Sequence, residues 1–179
     1  MKSVLISIKP KWCELIASGK KTIEVRKTRP KCAVPFKCYI YCTKEFYRKG
    51  DGYFQGKYCG KVIGEFVCDR IINIDCDSIA PFDKDLELYI DKQTCVNREQ
   101  LFKYTKGRCC YGWHIFALVI YDKPKDLDDF MAFGKTHCDQ KNCGDCLYMG
   151  IDGICDVKDI GQPMTRPPQS WCYVEESKE

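Results

Sequence analysis

Residues 113–121, Trp113-His114-Ile115-Phe116-Ala117-Leu118-Val119-Ile120-Tyr121, limit the choice of fold more than any other stretch of this chain. They are apolar at odd and even positions alike, so a strand here would present both faces to the interior and should be central in its sheet. Shorter strand patterns surround it, at residues 4–8, 22–26, 36–43 and 169–175. A longer one runs from Lys61 through Ile74, where Gly64 marks a bulge or a barrel corner. Residues 48–60 carry four glycines and read as a loop or wide hairpin, and residues 122–133 as a connection with room for one helical turn. Two helices are expected. The first opens at Pro10, places Trp12, Leu15 and Ile16 at helical spacing and stops at Gly19. The second spans 94–106, capped by Thr94 or Asn97, with Leu101 and Phe102 facing inward. Many strands, few helices and no βαβ rhythm predict an α+β, mainly β fold, a small mixed β-barrel. The 179 residues fit a single domain, 1–179, with a Cys-rich insertion at about 137–162 and a last strand at 169–175.

Composition is that of a globular chain, with 45% apolar and 30% charged residues. The net charge is only +4, so any polyanion site must come from local clustering. Residues 9–31 supply it: Lys9, Lys11, Lys20, Lys21, Arg26, Lys27, Arg29 and Lys31 face only Glu14 and Glu24. The plain alternative is a solvated basic face. The N-terminus lacks a signal-peptide pattern and no run approaches the length that spans a bilayer, which predicts a cytoplasmic protein with no membrane partner. Most of the 15 cysteines should then be reduced, with Cys38, Cys42 and Cys68 acting as small core hydrophobes.

The segment Gly19-Lys20-Lys21-Thr22-Ile23-Glu24-Val25-Arg26 has the form G-x-K-x-x-E-x-R. On a strand, Ile23 and Val25 share one face and Thr22, Glu24 and Arg26 the other. Glu24 and Arg26 would stand about 7 Å apart, close enough to share a site without closing into a tight pair. Lys21 can swing to the same side. Two cations and a carboxylate on one face suit a phosphate, or a base edge beside a phosphate. A lysine beside another cation is also a usable base or nucleophile. An exposed strand face carrying ordinary charges is the alternative. Trp113 belongs to an apolar strand and is expected in the core rather than stacked on a base. Cys109 and Cys110 precede His114, but neighbouring strand residues point to opposite faces and no third group orients the imidazole.

Taken together, Ser7-Ile8-Lys9-Pro10, the apolar helix to Ile16 and the G-x-K-x-x-E-x-R strand resemble the ASCH domain family, a relative of the PUA RNA-binding domain. The resemblance continues through residues 39–44, 60–66 and 113–115. It implies a PUA-like barrel of five to six strands, with a cleft between the first helix and the motif strand. Family members are thought to bind RNA. Some resemble small amidohydrolases acting on acetylated cytidine, others ribonucleases. In the amidohydrolase branch a Lys, a Thr and a Glu do the work. The Lys falls on Lys21 here, but the Thr falls on Glu24, so this chain departs from that branch and keeps the broader family pattern. The expected partner is RNA or a modified nucleotide, held by Lys9, Lys21, Glu24, Arg26, Thr43 and Lys44. A hydrolase at the same cleft, of amide or phosphodiester bonds, would use Lys21 as base or nucleophile and Glu24 to polarise water or substrate.

A second constellation, Cys138-x4-Cys143-x2-Cys146-x8-Cys155, sits in a polar, Gly-containing stretch with little capacity to form a core. Four thiolates suit a structural Zn²⁺, which would supply the missing free energy of ordering. An iron–sulfur centre, a disulfide cluster and free thiols are the other readings of the spacing. This segment is also a candidate protein-docking or redox element.

Overall fold

The computed structural model describes residues 3–44, 46–49, 52–55, 58–74, 84–132 and 162–176. Cys138, Cys143, Cys146 and Cys155 lie outside them. In chain order the elements are β1 (Ser3–Ile8), α1 (Pro10–Ala17), β2 (Ile23–Arg26), β3 (Phe36–Cys42), β4 (Phe46–Lys49), β5 (Gly52–Gln55), β6 (Val62–Cys68) and β7 (Ile71–Ile74). There follow α2 (Lys84–Thr94), α3 (Arg98–Thr105), β8 (Cys110–His114), β9 (Phe116–Lys125), β10 (Phe130–Ala132), β11 (Gln162–Pro163) and β12 (Trp171–Glu176). Among the described residues the fold is mainly β with three helices, and its large sheet is mixed.

Among the described residues the expected small mixed β-barrel does not close. Among the described residues the strands make a seven-stranded sheet in the order β11-β10-β12-β1-β3-β6-β9, a three-stranded sheet β2-β8-β7, and the β4-β5 hairpin. In the large sheet β1 runs parallel to β3 and antiparallel to β12. Two strands read as continuous in the sequence are each cut in two by a change of sheet. Residues 61–74 divide after Cys68, so that β6 joins the large sheet and β7 the small one. The apolar run 113–121 divides at Ile115. Trp113 is fully buried in β8, whereas Phe116 and Val119 of β9 are 56% and 50% exposed. Among the described residues β9 is not central but an edge strand, bonded only to β6. Hydrophobicity alone misplaced it, because a strand half covered by its neighbours tolerates apolar residues on its open side.

The core lies between β1, β3 and β6 on one side and α1, Trp113 and Ile115 on the other. Phe36 meets Trp113 edge to face, with ring centroids 5.7 Å apart. Cys38, Cys42 and Cys68 are buried in this cluster as expected. Gly64 does mark a bulge. It stands opposite Ile40, while Val62 stands opposite Tyr41, leaving Ile63 as the extra residue. A Cβ on Gly64 would collide with the carbonyl oxygen of Val119 on β9, so only glycine permits this approach of the two backbones.

The connection expected over residues 122–133 is instead the end of β9, a turn and β10. The helix α2 went unread. Of its apolar positions Ile90 is buried and Leu88 is 69% exposed, so no continuous apolar stripe announces it. Asn97 caps α3 as expected, and Leu101 faces inward, but Phe102 is 56% exposed. Gly64→Ala is expected to destabilise the fold by about 2 kcal/mol, since the added methyl can be accommodated only by separating β6 from β9. Urea denaturation would check this, and an unchanged midpoint would show that β9 is dispensable.

Candidate nucleotide-binding cavity

The loop from α1 to β2 is fixed before any side chain reaches the cavity. Gly19 takes a left-handed φ of 72° and donates its N–H to Ile16, ending α1. The Lys21 N–H then bonds Leu15 O, and the Thr22 N–H bonds Gln93 O at the end of α2. From there β2 pairs with β8, Glu24 opposite Trp113 and Arg26 opposite Tyr111. Val25 packs with Ile74, Ile90, Leu101 and Cys110 beneath α2 and α3. The polar face of β2 is turned the other way, toward β1 and α1.

That polar face is not solvated. Lys21, Glu24 and Arg26 are only 2%, 6% and 9% exposed. The spacing argument expected Glu24 and Arg26 to stand apart, and this is corrected: Arg26 Nη2 is 3.2 Å from Glu24 Oε1, and Lys21 Nζ is 3.3 Å from Glu24 Oε2. The Arg26 side chain folds back along the strand because Ser7 O, 2.6 Å away, accepts from the same Nη2. Lys21 Nζ also donates to Ile23 O at 2.9 Å and Thr94 O at 2.6 Å. Its three hydrogens thus have three acceptors, one being a carbonyl left over at the C-terminal end of α2. The Thr94 hydroxyl donates to Ile90 O, holding that end of the helix in place.

The cavity over this cluster has a volume of about 330 Å³. Its floor is Lys21, Glu24, Val25 and Arg26. One wall is Ser7, Ile8, Lys9 and Trp12, and the other is Val96, Gln100, Leu101 and Tyr104. Lys21 Nζ lies 5.2 Å from the centre of the Trp12 ring. Burial, more than the neighbouring charges, raises the Tyr104 phenol above its ordinary range, so it stays a neutral ring with a hydroxyl. The second wall was not foreseen in the sequence. Its signal was the capping box, in which Asn97 accepts from the Gln100 N–H and the Gln100 side chain accepts from the Asn97 N–H, setting Gln100, Leu101 and Tyr104 over β2.

The structure therefore brings Lys9, Lys21, Glu24 and Arg26 together. Thr43 and Lys44 are not among the walls. The parallel pairing of β1 and β3 sets Cys42 beside Ile8, and the chain then runs on toward Gly60, over which the Lys44 side chain lies. Trp113 is a core residue, as expected. Cys110 is buried, Cys109 is exposed, and His114 Nδ1 pairs instead with Asp69 Oδ1 at 2.6 Å. A second cavity, of about 360 Å³, lies along another face of α1 and is lined in part by Cys13, Cys42 and Cys59. A hydrogen bond with Cys42, then burial, pushes the Cys13 thiol well up, so it is a packing group rather than a nucleophile. Among the described residues no three His, Cys, Asp or Glu side chains gather as metal ligands, and no helix is long and apolar enough to cross a membrane.

The model of the ASCH domain matches residues 6–99. The chain belongs to the ASCH family. The matched region contains the end of β1, all of α1 and the whole cavity floor, and stops at the start of α3. Among solved structures, the ASCH protein of Zymomonas mobilis is similar at 23% identity and a TM-score of 0.53, over 71% of this chain and 75% of that one. One single-residue mutant of it gives the same figures. Another gives 22% identity and a TM-score of 0.53 over 72% and 78%. At such identity the likeness bears on the fold. Among curated proteins none matches.

Removing one partner from a buried ion pair leaves a dehydrated charge and costs about 3–5 kcal/mol, against about 0–1 kcal/mol for an exposed pair. Glu24→Gln is therefore expected to lose about 3 kcal/mol or more of unfolding free energy, and Lys37→Ala, which breaks a partly exposed pair with Glu65, less than about 1 kcal/mol. Equal losses on chemical denaturation would show that Glu24 does not organise the cavity floor.

Proposed function

We propose that this cavity binds RNA or a modified nucleotide, taking in one nucleotide unit. The observation that carries the reading is the charge of the walls and floor: Lys9, Lys21 and Arg26 against the single carboxylate of Glu24. The excess of cations within a largely dehydrated site favours an anionic ligand. Family membership supports RNA as the anion's source, since ASCH domains are generally thought to bind RNA. Size supports a single unit, because about 330 Å³ is at the lower end for small-molecule sites and far too small for a duplex. The chemistry of the walls fits a base as well as a phosphate. Trp12 and Tyr104 place aromatic side chains among the cavity's lining. Each Glu24 oxygen keeps a lone pair for an exocyclic amine after accepting from its cation. Arg26 Nε is buried and has no hydrogen-bond partner among the described residues, and a ligand acceptor reaching it would remove a cost of about 1–3 kcal/mol.

Hydrolysis is the weaker reading. With three acceptors already around its ammonium, Lys21 serves better as the brace that holds Glu24 and the end of α2 than as a base or nucleophile. Single-stranded RNA oligonucleotides and nucleoside monophosphates should bind saturably. Trp12→Ala should weaken them about tenfold, within the range of about 1–3 kcal/mol for a stacked base. Acylated nucleosides should not be turned over. Calorimetric titration and product analysis check both points. Turnover abolished by Lys21→Met would replace this reading with the hydrolase, and no binding at millimolar ligand would remove it.

A further inference from the structure

The cavity holds one nucleotide unit, yet the basic segment first seen in the sequence continues past it. Beyond Arg26 come Lys27, Arg29 and Lys31, all exposed, and no acidic residue occurs between Val25 and Lys44. Among the described residues none of these three cations has a carboxylate partner. Two of them lie over aromatic rings instead. Lys27 Nζ is 4.8 Å from the centre of the Tyr104 ring, and Arg29 Cζ is 5.7 Å from that of Tyr111. Tyr104 is a cavity wall and 40% exposed. Tyr111 is the register partner of Arg26, so the two project from the same face of the small sheet. The segment is also fastened at its far end. The Lys31 N–H donates to the Tyr173 hydroxyl at 2.8 Å, Trp171 Nε1 donates to Thr28 Oγ1 at 3.0 Å, and Pro30 is buried. These contacts hold it against β12 as a fixed rail.

On the reading of the cavity as a nucleotide site, we propose that its ligand is a stretch of single-stranded RNA, whose backbone leaves the cavity along Lys27, Arg29 and Lys31 and whose flanking bases meet the Tyr104 and Tyr111 rings. A basic track with interleaved aromatic rings is the arrangement by which proteins hold single strands: the cations follow the phosphates and the rings take successive bases. A free nucleotide would fill the cavity and leave the rail unused. A duplex keeps its bases stacked inward and has none to offer the rings.

The test compares a nucleoside monophosphate, an eight-nucleotide single-stranded RNA and the same RNA as a duplex, titrated at several salt concentrations. The single strand should bind at least tenfold more tightly than either of the others. The triple variant Lys27→Gln, Arg29→Gln, Lys31→Gln alters only exposed side chains outside the cavity. It should weaken the single strand about tenfold or more, lower the slope of log affinity against log salt by about 2, as three lost phosphate contacts require, and leave monophosphate binding within twofold. If the monophosphate binds and the single strand gains nothing over it, or the duplex binds as well, the rail is refuted and the cavity stands. Competition by polyglutamate at equal charge would also refute it, by reducing the rail to a non-specific cationic patch. If none of the three ligands binds, the cavity reading itself falls.

Discussion

The Glu24 carboxylate, buried between the Lys21 ammonium and the Arg26 guanidinium, is the interaction on which the arrangement of this protein turns. Each of its oxygens is matched to one cation, and each cation is anchored elsewhere: Lys21 to Thr94 at the end of α2, Arg26 to Ser7 on β1. One acid thus ties the small sheet to the large sheet and to the helical cover. Burying three charges is expensive, and a well-packed apolar cluster of the same volume would stabilise as much or more. What the ions contribute is definition. The hydrogen bonds that satisfy them fix where β1, β2 and α2 stand relative to one another.

That arrangement separates support from recognition. Lys21 has three acceptors for its three hydrogens, whereas Arg26 Nε, among the described residues, has none. The two aromatic wall residues differ in their place relative to the ASCH match: Trp12, on α1, lies within it, while Tyr104 lies just past residue 99, where the match ends. The floor of the cavity lies within the family match, and Tyr104, one of its aromatic wall residues, lies outside it.

The local signals in the sequence were legible wherever a short-range rule decides the structure. Pro10 and Gly19 bound α1, Asn97 caps α3, Gly64 sits at a bulge, and Lys21, Glu24 and Arg26 share a face. The failures have one cause, which is that periodicity does not report which sheet a strand joins. It could not show that the chain changes sheets after Cys68 and at Ile115, and so it took an open pair of sheets for a barrel and an edge strand for a central one. The tight Glu24–Arg26 contact was missed for a related reason. Strand spacing measures the separation of backbones, while a long guanidinium goes where its acceptors are, and Ser7 O is supplied by a different strand.

The carbonyl that seats Arg26 belongs to a residue whose own side chain and N–H are held by residues much later in the chain: the Ser7 hydroxyl donates to Pro168 O and its N–H to Ser170 O. Synthesis from the ribosome delivers α1 and the motif strand early, but β1 acquires its second neighbour only when β12 emerges. Closing a loop of that length comes late and slowly in folding. A nascent chain would therefore carry all the ionic side chains of the cleft long before it could assemble them, and the cleft would take shape only once β12 has joined β1.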